Sequence, residues 1–248
     1  MMSKSETLRS FVLQHLDRFG FSANGGPFLD LPKFELYAQD YLEFAEQELL
    51  AFQRQAVLKH KSARLINCVA HLKRALDCQL DTFFHVYNLY HIFAKRNLKF
   101  EKKLEFLSAA GIISPRSLVR LNTIRNKMEH HFEIPNIQDT YIEVYYDLVL
   151  MFVTLLQAAM SSLRDSVELE IWGEQETEGL PTGVFDIVYD FETPSIKAFW
   201  TVDEIEQTLV CDMTEPTEFA FFFKVLLLLD KLGSFASHRY IASQLASS

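Results

Sequence analysis

Between Leu65 and Ala94 apolar residues recur every three or four positions: Leu65, Val69, Leu72, Leu76, Leu80, Phe83, Tyr87, Tyr90 and Ala94. That period is one face of an α-helix, and a stripe this long predicts the seam of a helical bundle. Ser62 is the expected N-cap. A second helix is predicted from about Leu36 to Leu58, with Tyr37, Tyr41, Phe44, Leu49, Phe52 and Ala56 on one face and Glu43, Glu46 and Glu48 on the other. Phe100, Leu104, Leu107 and Ala110 predict a short helix stopped by Gly111. Ser114-Pro115 restarts a helix with Leu118, Leu121, Ile124 and Met128 on its buried side, and Pro135 stops it. Ile137, Tyr141, Val144, Leu148, Phe152, Leu155, Ala159 and Leu163 mark the next core face. Four helices with short connections predict an antiparallel bundle.

The period changes after Arg164. Val167 to Ile171 alternates apolar and acidic, Val184 to Phe191 and Ile196 to Val202 are rich in β-branched and aromatic residues, and Gln207 to Met213 adds a further strand. Thr214 is the expected cap of a buried helix through Phe219 to Leu229, and a short last helix ends the chain. At the other end, residues 1–20 predict one amphipathic helix with Leu8, Phe11, Val12, Leu16 and Phe19 inside, broken at Asn24-Gly25-Gly26-Pro27. The fold class expected is therefore mainly α: an N-terminal helix and loop (1–34), an antiparallel helical bundle (35–166) and a small α/β C-terminal extension (167–248).

Composition refines this picture. Of 248 residues, 49% are hydrophobic and 23% charged, the balance of an ordinary soluble globular chain. The start has no uninterrupted apolar core of a signal peptide, and the longest apolar run, Phe219 to Leu229, is interrupted by Lys224 and falls short of the ~20 residues a membrane crossing needs. No membrane association and a cytoplasmic location are expected. Cys68, Cys78 and Cys211 form no CxxC and no even framework, so free thiols are expected. The net charge of −9 hides an asymmetry. Residues 54–131 hold 15 Lys/Arg against 5 Asp/Glu, whereas residues 132–248 hold 5 against 20. A local cation excess attracts phosphates even in an acidic protein; the same charges also suit solvated faces of a bundle.

The basic segment ends at Arg125-Asn126-Lys127-Met128-Glu129-His130. On a helix Asn126 and His130 stack at i, i+4, with Arg125 to one side. Cleaving RNA through its own 2′-hydroxyl needs a base, an acid and positive charge at the phosphate. A histidine titrates in the right range, arginine's fork fits phosphate oxygens, and an amide orients either. One chain offers one such set, so two chains across a two-fold axis would supply both proton transfers. The same residues also fit a bland reading. Arg125–Glu129 is an ordinary helix ion pair, and His130 suits the negative end of a helix dipole. A metal site is not expected, because adjacent His130 and His131 point about 100° apart and HExxH is absent.

The stretch Ile124 to Phe132 (IRNKMEHHF), preceded by a helix, Gly111-Ile112-Ile113-Ser114-Pro115 and a second helix, resembles the HEPN superfamily (higher eukaryotes and prokaryotes nucleotide-binding) over roughly residues 35–166. The family signature is an arginine, a polar residue directly after it and a histidine four to six residues beyond, here Arg125, Asn126 and His130. The resemblance implies an up-and-down helical bundle that dimerises with its motifs facing. It implies a metal-independent endoribonuclease of toxin–antitoxin or defence type, without cofactors, whose partners are RNA, a second copy and an inhibitory protein. Arg125, Asn126 and His130 are then the catalytic candidates; Lys127, His131, Lys73 and Arg74 are the substrate-binding candidates. Other members of the family are non-catalytic RNA-binding or protein-interaction modules, which is the alternative reading. The extension from residue 167 lies outside the resemblance.

Overall fold

The computed structural model describes residues 3–25, 30–95, 100–113, 139–161, 164–173 and 181–246. In chain order these residues form α1 (Lys4–His15), a 3₁₀ turn (Leu16–Arg18), β1 (Phe19–Gly25), α2 (Ala38–Arg54), α3 (Leu58–Val86), α4 (Tyr90–Lys95) and α5 (Phe100–Ala109). After these come α6 (Asp139–Ser161), β2 (Ser166–Ile171), β3 (Gly183–Asp190), β4 (Ser195–Val202), β5 (Ile205–Asp212), α7 (Pro216–Leu229) and α8 (His238–Ala246). The chain is mainly helical with one five-stranded antiparallel sheet. It divides into two compact units that interleave in sequence. A helical unit takes residues 29–104 and 114–162, and a sheet unit takes 1–28, 105–113 and 163–248. The first 28 residues thus group with the C-terminal extension.

In the helical unit, α2 and α3 are joined by three residues and run antiparallel. Lys61 lies over the Phe52 ring (4.5 Å), Arg64 meets Glu48 (3.1 Å), His71 meets Phe44 edge-on (5.5 Å), and the Cys78 thiol reaches the Leu36 carbonyl (3.8 Å). One number rises as the other falls, which fixes the direction. Gln53 to Glu143 (2.6 Å) and Gln39 to Gln157 (3.1 Å) set α6 antiparallel to α2 in the same way. The buried seam of α3 is the predicted one: Leu65, Leu72, Leu76, Leu80, Phe83 and Tyr87, joined by Cys68, Ala75 and Phe84.

Three expectations shift here. The α3 helix begins at Leu58, so Ser62 is inside it, and its hydroxyl donates back to the Leu58 carbonyl (3.1 Å). The long stripe is also two helices, not one. Asn88 takes a left-handed conformation (φ 51°), and the Leu89 N–H reaches the Phe84 carbonyl (2.7 Å) while the Asn88 N–H reaches His85 (2.8 Å). That is a Schellman stop, with asparagine in the glycine position. Finally, α6 buries Ile142, Val149, Phe152, Val153, Leu156 and Met160, whereas Val144, Met151 and Leu155 of its other flank are exposed. The expected face is off by about one residue, roughly 100°; the exposed polar positions Glu143, Asp147 and Thr154 mark the outer flank, a signal that counting apolar spacing alone passes over. By length and composition Ile142–Ser161 would also suffice to cross a membrane.

In the sheet unit the strands follow one another in space as in sequence, β1 to β5. β1 pairs with β2, a strand that sequence periodicity did not foresee. Period-two alternation puts Val167, Leu169, Ile171, Phe185, Ile187, Tyr189, Ile196, Ala198 and Trp200 on the covered face. Phe11 of α1 stacks on Trp200 (4.2 Å) and Phe185 (5.6 Å), while Phe219 and Phe223 of α7 meet Tyr189 and Phe106. Phe199 takes the opposite face, directly between Asp186 and Thr208. Buried Lys224, set within the apolar run Phe219 to Leu229 of α7, donates to the Gln244 carbonyl (2.7 Å), in the last turn of α8. A cation there complements the negative helix end. The expected cap Thr214 instead folds onto Asp212, and Glu215 is the N-cap residue. Gly111 stops α5 as predicted, left-handed at φ 71° with the Ile112 N–H on Leu107 (2.9 Å).

Candidate functional site

Of the sequence candidates, Lys73 and Arg74 lie on α3, Lys73 half-buried and Arg74 exposed. Arg125, Asn126, Lys127, His130 and His131 lie outside the described residues.

The part of α3 from Leu58 to Leu76 carries Lys59, Lys61, Arg64, Lys73 and Arg74 and no carboxylate; the first acid is Asp77. No acidic residue occupies the first turn. Cations at a helix N-terminus oppose the macrodipole, so helix stability does not explain this placement. Arg64 is met by Glu48, and Lys61 by the face of Phe52. Contacts of this exposed kind contribute about 0–1 kcal/mol. Arg74 also acts on its neighbour. Burial first, and then the Arg74 charge, hold His71 below the ordinary histidine range, against Glu48. His71 is therefore a neutral imidazole at physiological pH, beside the Arg74 charge. Further along the same helix, Asp81 takes Lys103 of α5 (2.5 Å).

The cysteines offer no nucleophile. Burial, with Glu48 nearby, pushes the Cys68 thiol up to about 12; burial and Glu215 do the same to Cys211, also to about 12. Cys78 is raised as well, by burial and then Asp81. All three are free, and thiols so placed are inert.

Sequence reasoning missed a chain of amides in the middle of this unit. Gln39 donates to Gln157 Oε1 (3.1 Å), and Gln157 donates to Gln79 Oε1 (3.3 Å). Gln79 is 3% exposed, and its Nε2 finds no acceptor among the described residues. A buried donor left unsatisfied costs on the order of 1–3 kcal/mol. The only available signal was position: Gln79 follows Leu72, Ala75 and Leu76 on the buried side of α3, where an apolar residue is the norm.

Compared with protein-family models, curated proteins and solved structures, the chain matches none.

Proposed function

We propose that the chain is a metal-independent endoribonuclease of HEPN type that works as a homodimer. The observation that carries the reading is the spacing Arg125-Asn126-x₃-His130 at the end of a cation-rich segment. Two features of the helical unit support it. The unit holds three long helices, with α2 antiparallel to both α3 and α6, and the first two-thirds of α3 carries cations without a carboxylate, ending in Lys73 and Arg74.

In this mechanism a neutral His130 takes the proton of the 2′-hydroxyl. The 2′-oxygen attacks the adjacent phosphorus, and the P–O5′ bond breaks. The protonated His130 of the second copy delivers a proton to the departing 5′-oxygen. Arg125 holds the non-bridging oxygens as charge builds on the pentacoordinate phosphorus, and Asn126 orients the imidazole. Lys127, His131, Lys73 and Arg74 contact the RNA backbone. The products are a 2′,3′-cyclic phosphate and a 5′-hydroxyl.

The test is incubation of the purified chain with a mixed RNA pool in EDTA, followed by analysis of the cut ends. Cyclic-phosphate ends are expected, lost in His130→Ala and reduced by at least ~10²-fold in Arg125→Lys, the scale of a transition-state charge contact. Full activity in folded His130→Ala protein sinks the assignment. RNA that is bound but uncut by the wild type selects the non-catalytic RNA-binding module instead.

A further inference from the structure

A cavity of about 190 Å³ opens in the helical unit between the segment before α2, the middle of α3 and the end of α6. Its lining is graded by depth. Gln79, Ala38 and Met160 are 3%, 3% and 4% exposed, whereas Leu31 and Tyr37 are half exposed and form a rim. The walls are mainly apolar. A cavity of ~150 Å³ with such walls takes benzene, so this one has room for a six-membered ring carrying roughly two or three further heavy atoms.

The polar groups of the lining then decide what such a molecule must offer. The Thr82 hydroxyl donates to the Cys78 carbonyl (2.9 Å), and the Ser161 hydroxyl to the Gln157 carbonyl (2.8 Å). The Tyr37 hydroxyl points to the Pro32 carbonyl (3.4 Å). These hydroxyl donors are spent on the protein's own backbone. The amide chain from Gln39 through Gln157 engages the oxygen of Gln79 and leaves its Nε2 as the buried donor without an acceptor among the described residues. The described lining carries no charged side chain, so an ion entering the cavity would lose its hydration without a partner.

We propose that this cavity binds a small neutral molecule that presents one hydrogen-bond acceptor oxygen to Gln79 from a compact apolar body. The binding site is independent of the RNA-cleavage reading, since none of its lining residues belongs to the proposed ribonuclease machinery. Few polar groups placed in an apolar hollow are the usual composition of a small-molecule site, and the buried amide supplies the discrimination. A ligand without the acceptor leaves that donor unpaired.

The test uses the full chain and two probes of the same shape, acetophenone and α-methylstyrene, in which a carbonyl oxygen is replaced by a methylene. Binding is followed by NMR at the Gln79 side-chain amide and the Met160 methyl. Acetophenone is expected to shift both signals saturably and to bind at least about tenfold more tightly than α-methylstyrene, the scale of one buried hydrogen bond. Gln79→Met is expected to abolish that preference. Ser161→Phe, at an exposed position, is expected to weaken acetophenone by about tenfold or more and serves if Gln79→Met fails to fold. Absence of saturable shifts, equal affinity for the two probes in the wild type, or unchanged acetophenone affinity in Ser161→Phe would each overturn the proposal.

Discussion

Two histidines show how burial, more than neighbours, sets chemistry at single positions. His15 closes α1 at 5% exposure, its ring 4.6 Å from that of Phe11 and tilted against it, and its Nδ1 finds no hydrogen-bond partner among the described residues. Burial first, then Arg18, lowers its pKa against Asp203. His71 is lowered by burial and then by Arg74. Both pKa values in the folded chain lie below the unfolded value of about 6.5. Above that pH both states are neutral and the histidines cost nothing. As pH falls below it, the unfolded chain takes up protons that the folded chain refuses, and stability drops until the folded pKa values are reached. The melting temperature is therefore expected to fall as pH drops below about 6.5, and the fall to be shallower in His15→Phe. Parallel pH profiles for wild type and variant would show that His15 is not a source of the loss. None of this was legible in the sequence, where His15 and His71 are simply two of eight histidines.

At the scale of elements, the connection between β4 and β5 makes the sharpest demand. Asp203 and Glu204 both have positive φ, 50° and 65°, between Val202 and Ile205, which pair directly. A two-residue hairpin with both central residues left-handed is the type I′ turn, which matches strand twist and favours Asn-Gly. Glutamate there carries a Cβ penalty of about 1–2 kcal/mol. Glu204→Gly is thus expected to raise stability by about 1 kcal/mol, read as a higher urea midpoint at unchanged slope; an unchanged or lower midpoint would mean the turn is strained elsewhere. The acidic turn also serves the sheet edge. β5 is an edge strand with Ile205 and Val210 exposed, and Glu204, Glu206 and Asp212 set charge along that edge, which discourages pairing with other chains. The mirror case is Gly183 in β3, where an added Cβ would meet the Thr201 carbonyl oxygen at 2.2 Å. There the glycine is required by a close backbone approach.

At the scale of the whole molecule, charge and folding divide along the same line. The sheet unit holds 8 Lys/Arg and 19 Asp/Glu, a net −11, and the helical unit holds 16 and 14, a net +2. The acidic extension invites the idea that it regulates RNA access to the basic segment. Truncation at Arg164 is not a clean test of that idea. It removes β2 to β5, α7 and α8, so β1 loses its ladder and Leu8, Phe11, Val12 and Phe19 lose the surfaces that bury them. The truncated chain is expected to self-associate while keeping strong helical circular dichroism from α2, α3 and α6. A monomeric truncation with α1 still protected from amide exchange would contradict the assignment of the first 28 residues to the sheet unit. For the proposed ribonuclease, regulation by charge is better read from the full chain, as the salt dependence of RNA binding.

Local sequence settled what local physics governs. The stripe from Leu65 to Tyr87 specified α3, Gly111 the end of α5, the alternation in Val167 to Ile171 a one-sided strand, and the run from Phe219 to Leu229 a buried helix. Each is a pattern of burial or backbone freedom contained within a few turns or residues. Tertiary structure decided what depends on a distant partner. Phe19 to Gly25 is a strand because β2, far along the chain, offers its edge. The buried side of α6 lies about one residue from the side its apolar spacing suggested, because α2 and α3 cover the flank opposite Glu143, Asp147 and Thr154. Gln79 lines a cavity with its Nε2 unpaired while Gln157, on another helix, donates to its oxygen. Arg125, Asn126 and His130 were singled out by sequence alone, from residue type and spacing.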